Sequence, residues 1–239
     1  MLNIDLHCHS NVSDGMLSPA GVVARAAANG VHVLALTDHD DVMGIAAAQA
    51  AADAAGLTLI PGVEISVSWG GQTVHIVGLR IDPAHPELAA GLYDIRLGRI
   101  ERARRMGDDL ARSGIIGAYD GAYGCAVNKQ MVGRTHFARW LVDQGHAPDI
   151  RAAFRRFLTR GHPGYVEHEW TTLENAVGWI RASGGMAVVA HPGRYAFNAR
   201  ELHLLLDAFR ALGGEGIEQV QQMRIRDAIA AARADAKIE

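Results

Sequence analysis

The sequence has little cysteine. Cys8 and Cys125 are its two examples, which leaves no basis for a disulfide framework and makes a reducing, cytoplasmic setting the expectation. Long apolar runs are missing too; the apolar stretches are broken by Asp, Gly or Gln, so no membrane-spanning helix is expected. The start lacks the basic and apolar regions of a secretory leader. Lysine is nearly absent: Lys129 and Lys237 stand among 23 basic residues, and the rest are arginine. The net charge of −3 argues against a broadly basic surface, so neither duplex DNA nor a membrane is an expected partner.

What is there is core material and a rhythm. Of 239 residues, 49% are hydrophobic, enough for one domain with an inserted subdomain. Strands are expected over 3–7, 31–40, 57–69, 72–81, 186–193 and 216–220. Helices are expected over 18–30, 42–56, 171–185, 199–214 and 222–239. Ser18 and Pro19 open the first helix and Gly30 ends it, while Gly70-Gly71 reads as a hairpin turn. Asp40 and Asp41 are placed to cap the helix that follows them. Residues 86–165 break the alternation with an arginine-rich helical stretch and read as an insertion, leaving 1–85 and 166–239 as the main body. Repeated βα units indicate a mainly parallel sheet, open or closed into a barrel.

The ionisable residues fall at strand ends. In "DLHCHSNVSDG", Asp5, His7 and His9 alternate on one strand face, a costly arrangement unless something pairs with them. Cys8 points to the opposite face and reads as packing. Asp38, His39 and Asp40 end the second strand, Glu64 follows Pro61-Gly62, His75 lies in the fourth strand, and His191 ends the strand before a late helix. Parallel α/β folds gather such groups on one rim. Imidazole and carboxylate together suit Zn, Mn or Fe, and there are more donors than one tetrahedral ion needs, so two or more ions are implied. His32, His85, His146 and His203 have no ligand context and read as surface or packing residues. The arginines of 96–105 fit either a solvated helix face or a phosphate clamp.

Together, "DLHCHSNVSDG", "LTDHD", "PGVEIS", "VHIVGL" and "AHPGR" make the chain resemble the PHP (polymerase and histidinol phosphatase) phosphoesterases. "GRTHFARWLV" and "PGYVEHEW" are most similar to the branch that dephosphorylates nucleoside 3′,5′-bisphosphates and trims short RNA 5′ ends. The resemblance implies an α/β fold, a distorted (β/α)7-type barrel, with a helical subdomain over its mouth and a trinuclear Mn, Fe or Zn site. It implies His7, His9, Asp14, His39, Glu64, His75 and His191 as ligands. The family's closing Gly-x-Asp-x-His strand has no counterpart after His191, so the last barrel strand and two ligands are expected to be missing.

The expected reaction is hydrolysis of a phosphate monoester of a small nucleotide or short RNA by two or three divalent ions. Glu64 is the expected bridging carboxylate, and proton transfer falls to Asp14 or His39. Arg102, Arg134 and Arg194, with His136 beside Arg134, are the candidates for binding a second phosphate. His162 is a further candidate, and Tyr165 or Trp170 for stacking on a base, with packing the commoner use of both aromatics. Two rivals stand beside this reading. One is an amidohydrolase-type metal hydrolase, disfavoured because neither lysine sits at a strand end to bridge metals. The other is an inactive remnant of the family lacking the last ligands.

Overall fold

The computed structural model describes residues 2–218; the expected helix over 222–239 and the last residues of the expected strand 216–220 lie outside them. Strands β1 (Ile4–Cys8), β2 (Val33–Leu36) and β3 (Thr58–Trp69) pair in parallel, with Ile4 opposite Val33 and Val33 opposite Thr58. Parallel neighbours need long crossovers, supplied by helices α1 (Pro19–Ala28) and α2 (Ile45–Ala55). Ser18 caps α1 by accepting the Gly21 N–H at 3.1 Å, and Gly56 closes α2 in the left-handed region at φ +68°. Helix α2 starts three residues later than expected, and neither Asp40 nor Asp41 caps it. Asp41 accepts the Met43 N–H at 2.8 Å within the preceding turn, and Asp40 is drawn to Ser66 and Arg99.

Gly70 and Gly71, at φ +55° and +72°, turn β3 back into β4 (Gln72–Leu79). A two-residue turn joins only antiparallel strands. Strand β4 is antiparallel to both β3 and β5 (Met186–Val189), and β6 (Gly216–Ile217) is parallel to β5. Five of the six described strands therefore run in one direction, as the repeated βα units had indicated, and β4 alone is reversed. Its six strands run in the order β1-β2-β3-β4-β5-β6. The sheet curls into a half-barrel, so that Glu218, just past β6, reaches His7 of β1 on the opposite edge.

Between β4 and β5 the chain forms α3 (Pro86–Arg112), α4 (Ala118–Cys125), a 3-10 turn at Lys129–Met131, α5 (Arg134–Asp143), α6 (Ile150–Ala153), a π turn at Phe154–Leu158 and α7 (Leu173–Ala182). Helix α8 (Ala199–Ala211) precedes β6. Two apolar cores share α3. Its first half puts Leu88, Leu92 and Ile95 into the core of β3, β4, β5 and α7, while Met106 and Leu110 join Phe137, Leu141 and Leu158 in a second core. Each such buried side chain contributes roughly 1.5–3 kcal/mol, so α3 is anchored at both ends. Cys8 packs against the α1–α2 side, its thiol donating to the Ala35 carbonyl at 3.1 Å.

Candidate metal centre

Glu64 is the hub. Pairing between β2 and β3 lapses after Leu36 and resumes as a single parallel bridge at His39 and Glu64. The Asp40 N–H donates to the Glu64 carbonyl at 3.0 Å and the Glu64 N–H to the Asp38 carbonyl at 3.1 Å. This sets His39 beside the buried Glu64 carboxylate. Its Oε2 lies 3.2 Å from His7 Nε2, 2.9 Å from His9 Nε2 and 3.2 Å from His39 Nδ1. Its Oε1 lies 3.1 Å from His75 Nδ1 and 2.9 Å from His191 Nε2. Asp14 joins from the loop after β1, with Oδ1 2.9 Å from His9 Nδ1.

The Asp14 loop is held from both sides. A Cβ on Gly15 would come within 2.5 Å of the His9 carbonyl, so only glycine lets the loop lie this close. From α5, Thr135 Oγ1 donates to Asp14 Oδ2 at 3.1 Å, and Arg139 donates to the Asp14 carbonyl at 2.6 Å. The neighbouring acids do other work. Asp5 turns back to accept the His7 N–H at 3.4 Å. Asp38 accepts the Ser10 N–H at 2.8 Å and the Ser10 and Ser13 hydroxyls at 2.6 Å each. Asp40 accepts the Ser66 N–H at 2.7 Å and the Arg99 Nε at 2.8 Å.

Burial resists charge throughout this cluster, and the neighbours decide which groups carry it. Burial pulls His7 and His9 down, yet Glu218 and Glu64 carry His7 up to about 9, and Asp14 and Glu64 carry His9 up to about 10. At His39 burial wins over Glu64 and lowers it to about 3, leaving a neutral imidazole. Burial works against the Glu64 and Asp14 carboxylates, but the surrounding histidines hold both well below the usual carboxylate range.

This donor set fits divalent metal ions. Ligand atoms of His7, His9 and Glu64 lie within 4.8 Å of one another, as do those of His9, Asp14 and His39, and those of His39, Glu64 and His75. The His191 Nδ1 atom is buried without a hydrogen-bond partner, and His39 Nδ1 meets Glu64 Oε2 at 3.2 Å without hydrogen-bond geometry. His7 Nε2 and His9 Nε2 face each other at 3.1 Å, where at most one proton fits between them. Five imidazoles crowd two carboxylate oxygens, more nitrogen than one carboxylate satisfies by hydrogen bonding.

A cavity of about 1100 Å³ opens over this cluster, lined by Asp14, His39 and His75 on one side and by Arg99, Arg102 and Arg134 on the other. Arg96, Arg99 and Arg102 recur every three residues and so share the inner face of α3, while Arg104 and Arg105 point to solvent. Burial together with the charges of Arg134 and Arg99 lowers Arg102 to about 9. Burial and Arg99 lower Arg134 against the pull of Tyr165. Among the described residues no carboxylate pairs with Arg102 or Arg134. Arg194 lines the same cavity.

His136 does not line the cavity. It is buried at the start of α5, where its Nδ1 accepts the Gly133 N–H at 3.2 Å. His162 is exposed and outside the lining. Tyr165 lines the cavity, but Trp170 is occupied: Arg99 lies 4.7 Å over its ring, and its Nε1 donates to Thr73 Oγ1 at 3.1 Å. Sequence reasoning weighed Arg99 only as part of the arginine run 96–105, and it passed over Thr135 and Glu218. The three-residue spacing of Arg96, Arg99 and Arg102 was a usable signal for the first, and the end of a strand for Glu218; Thr135 gave none.

The PHP domain model matches residues 5–201. The chain is 57% identical over 218 residues to a 3′,5′-nucleoside bisphosphate phosphatase of Chromobacterium violaceum, covering 91% of this chain and 76% of that protein. It is 44% identical over 223 residues to a 5′-3′ exoribonuclease of Haemophilus influenzae, covering 93% and 81%. Among solved structures, a Chromobacterium violaceum protein described as an amidohydrolase, with bound sulfate and no metal, superposes with a TM-score of 0.89 at 53% identity, covering 98% of this chain and 84% of that one. A Bifidobacterium adolescentis protein described as a metal-dependent phosphoesterase gives 0.83 at 27% identity, with the same coverages.

Proposed function

Because the chain belongs to the PHP domain family, we propose that it hydrolyses a phosphate monoester of a small nucleotide: a nucleoside 3′,5′-bisphosphate to the 5′-monophosphate, or the 5′ end of a short RNA. One juxtaposition carries the reading: five imidazoles and Asp14 gather around Glu64 at the base of a cavity whose facing wall presents Arg102 and Arg134, neither of them paired with a carboxylate among the described residues. His7, His9, Asp14, His39, Glu64, His75 and His191 would hold two or three divalent ions, Mn, Fe or Zn. Such ions supply a water acidified toward neutrality and neutralise charge on the phosphoryl oxygens.

The chain's own residues do the rest. Glu64 has two oxygens, each facing a separate group of imidazoles, which suits a bridging carboxylate. His39 and Asp14 line the cavity floor and are the residues placed to take part in proton transfer there. Arg102, Arg134 and Arg194 bind phosphate oxygens in the charge-assisted, bidentate manner of guanidinium. A second phosphate held there sets the ester bond over the Glu64 cluster, which is catalysis by positioning.

The test is phosphate release from adenosine 3′,5′-bisphosphate and adenosine monophosphate, and mononucleotide release from 5′-phosphorylated oligoribonucleotides, with and without added Mn or Zn and after chelation. Preference for the bisphosphate or the RNA, abolished by chelation, is expected. The neighbour described as an amidohydrolase makes amide and lactone substrates the second arm. That chemistry lacks a bridging lysine here: Lys129 Nζ donates to the Tyr123 carbonyl at 2.7 Å in the helical region, and Lys237 lies outside the described residues. A chain that takes up no metal and turns over nothing is the inactive remnant.

A further inference from the structure

Glu218 follows β6 and lies beyond the 5–201 span of the family match. Its carboxylate reaches His7 across the opening of the curled sheet and His191 just past the neighbouring strand β5. His7 Nδ1 lies 3.2 Å from its Oε1 and 3.3 Å from its Oε2, and the His191 N–H donates to Oε2 at 2.7 Å. An ionised carboxylate only accepts, so the His7 nitrogen that faces it carries a proton. The other nitrogen of that ring, Nε2, lies 3.2 Å from Glu64 and 3.1 Å from His9. His191 sits at φ +31°, ψ +54°, a left-handed backbone that a side-chain-bearing residue adopts only when its surroundings hold it. The hydrogen bond to Glu218 is such a hold.

We infer that Glu218 is a positioning residue for the metal centre. It fixes the His7 ring with Nδ1 turned to Glu218 and Nε2 turned to the basin, and it secures the turn that aims His191 at Glu64. This rests on the metal-centre reading above. A free neutral imidazole prefers its proton on Nε2, the nitrogen that a cation needs bare; a carboxylate at Nδ1 reverses that preference. Glu218 thereby orients two ligands, one on the β1 edge and one just past the interior strand β5.

The experiment uses the full chain as wild type, Glu218→Gln and Glu218→Ala. Zinc alone is titrated against a chromophoric chelator, and histidine ring nitrogens are followed by long-range 1H–15N spectra of the zinc-loaded protein. Wild type should show His7 as a single Nδ1-protonated ring. Glu218→Ala should keep the same number of zinc ions, bind them about 10–100-fold more weakly and lose that single ring state. Glu218→Gln, which still presents one acceptor oxygen, should fall between; it also carries the comparison if the alanine variant does not fold. Unchanged zinc affinity and an unchanged His7 ring in both variants overturn the inference, even with a lowered melting point, because a mere staple between strands behaves that way. Loss of one whole ion with the others unaffected also overturns it, making Glu218 a ligand itself. A wild type that binds no zinc removes the metal-centre reading, and the unmutated control separates that failure from the other two.

Discussion

His191 Nε2 lies 2.9 Å from Glu64 Oε1, a contact between residues 127 positions apart. It joins the end of β5 to the middle of β3 across β4, and it exists only because the sheet curls. The chemistry of the cavity floor thus depends on the tertiary fold more than on any local motif, and substitutions at the hub should be felt by every donor around it.

Glu64→Gln is expected to remove a bridging charge and leave five imidazoles facing a neutral amide. Metal-supported phosphate release should fall by about 1000-fold or more, with metal content reduced in parallel. Elemental analysis of the purified variant beside single-turnover kinetics checks both. Full metal content with normal turnover would dismiss Glu64 as hub.

Arg134→Ala is expected to raise KM for a nucleoside bisphosphate by roughly 10–100-fold, the worth of a charge-assisted hydrogen bond at about 1.5–3 kcal/mol. The monophosphate should be affected much less. Steady-state kinetics on both substrates decides the matter, and equal effects would strip Arg134 of a second-phosphate role.

Arg99→Met should destabilise the fold by about 3–5 kcal/mol, because it leaves the fully buried Asp40 carboxylate without its cation. Urea unfolding of the metal-free protein measures this. A loss below about 1 kcal/mol would mean that the Ser66 hydrogen bonds satisfy Asp40 unaided.

His136 gives a pH signature. Burial, assisted by the charge of Arg139, lowers it to about 4 from the usual value near 6.5. The unfolded chain therefore binds this proton more tightly than the folded one. Its contribution is complete above pH 6.5 and is lost as pH falls toward 4, by about 2 kcal/mol at pH 5. Comparing urea unfolding of wild type and His136→Gln at pH 7.5 and pH 5 isolates the term. Glutamine can still accept the Gly133 N–H without titrating, so identical pH slopes would refute the assignment.

Much of this was legible in the chain. The alternation of Asp5, His7 and His9, the T-D-H-D after β2 and the glutamate after Pro61-Gly62 all placed donors at strand ends, and the curled sheet brings His7, His9, His39 and Glu64 together. Composition did not separate Asp14 from Asp38 and Asp40. All three are acids beside histidines, but Asp38 is captured by Ser10 and Ser13 and Asp40 by Arg99, and only long-range packing decides that. His136 was misleading for a similar reason: next to Arg134 in sequence, it turns inward to cap its own helix. The reversal at β4 was written in Gly70-Gly71, yet its effect on the direction of β5 relative to β4 requires knowing which strands are neighbours.

Helix α3 has 27 residues without interruption, about 40 Å of rigid rod at 1.5 Å per residue. One end is embedded beneath the sheet and the other beneath the helical layer, and the inward arginines sit along its middle. The separation between the Glu64 cluster and the guanidinium groups of Arg99 and Arg102 is thus set by a single rod. Under the proposed function, a ligand with two anionic ends meets a spacing set by this rod, which favours ligands of matching length.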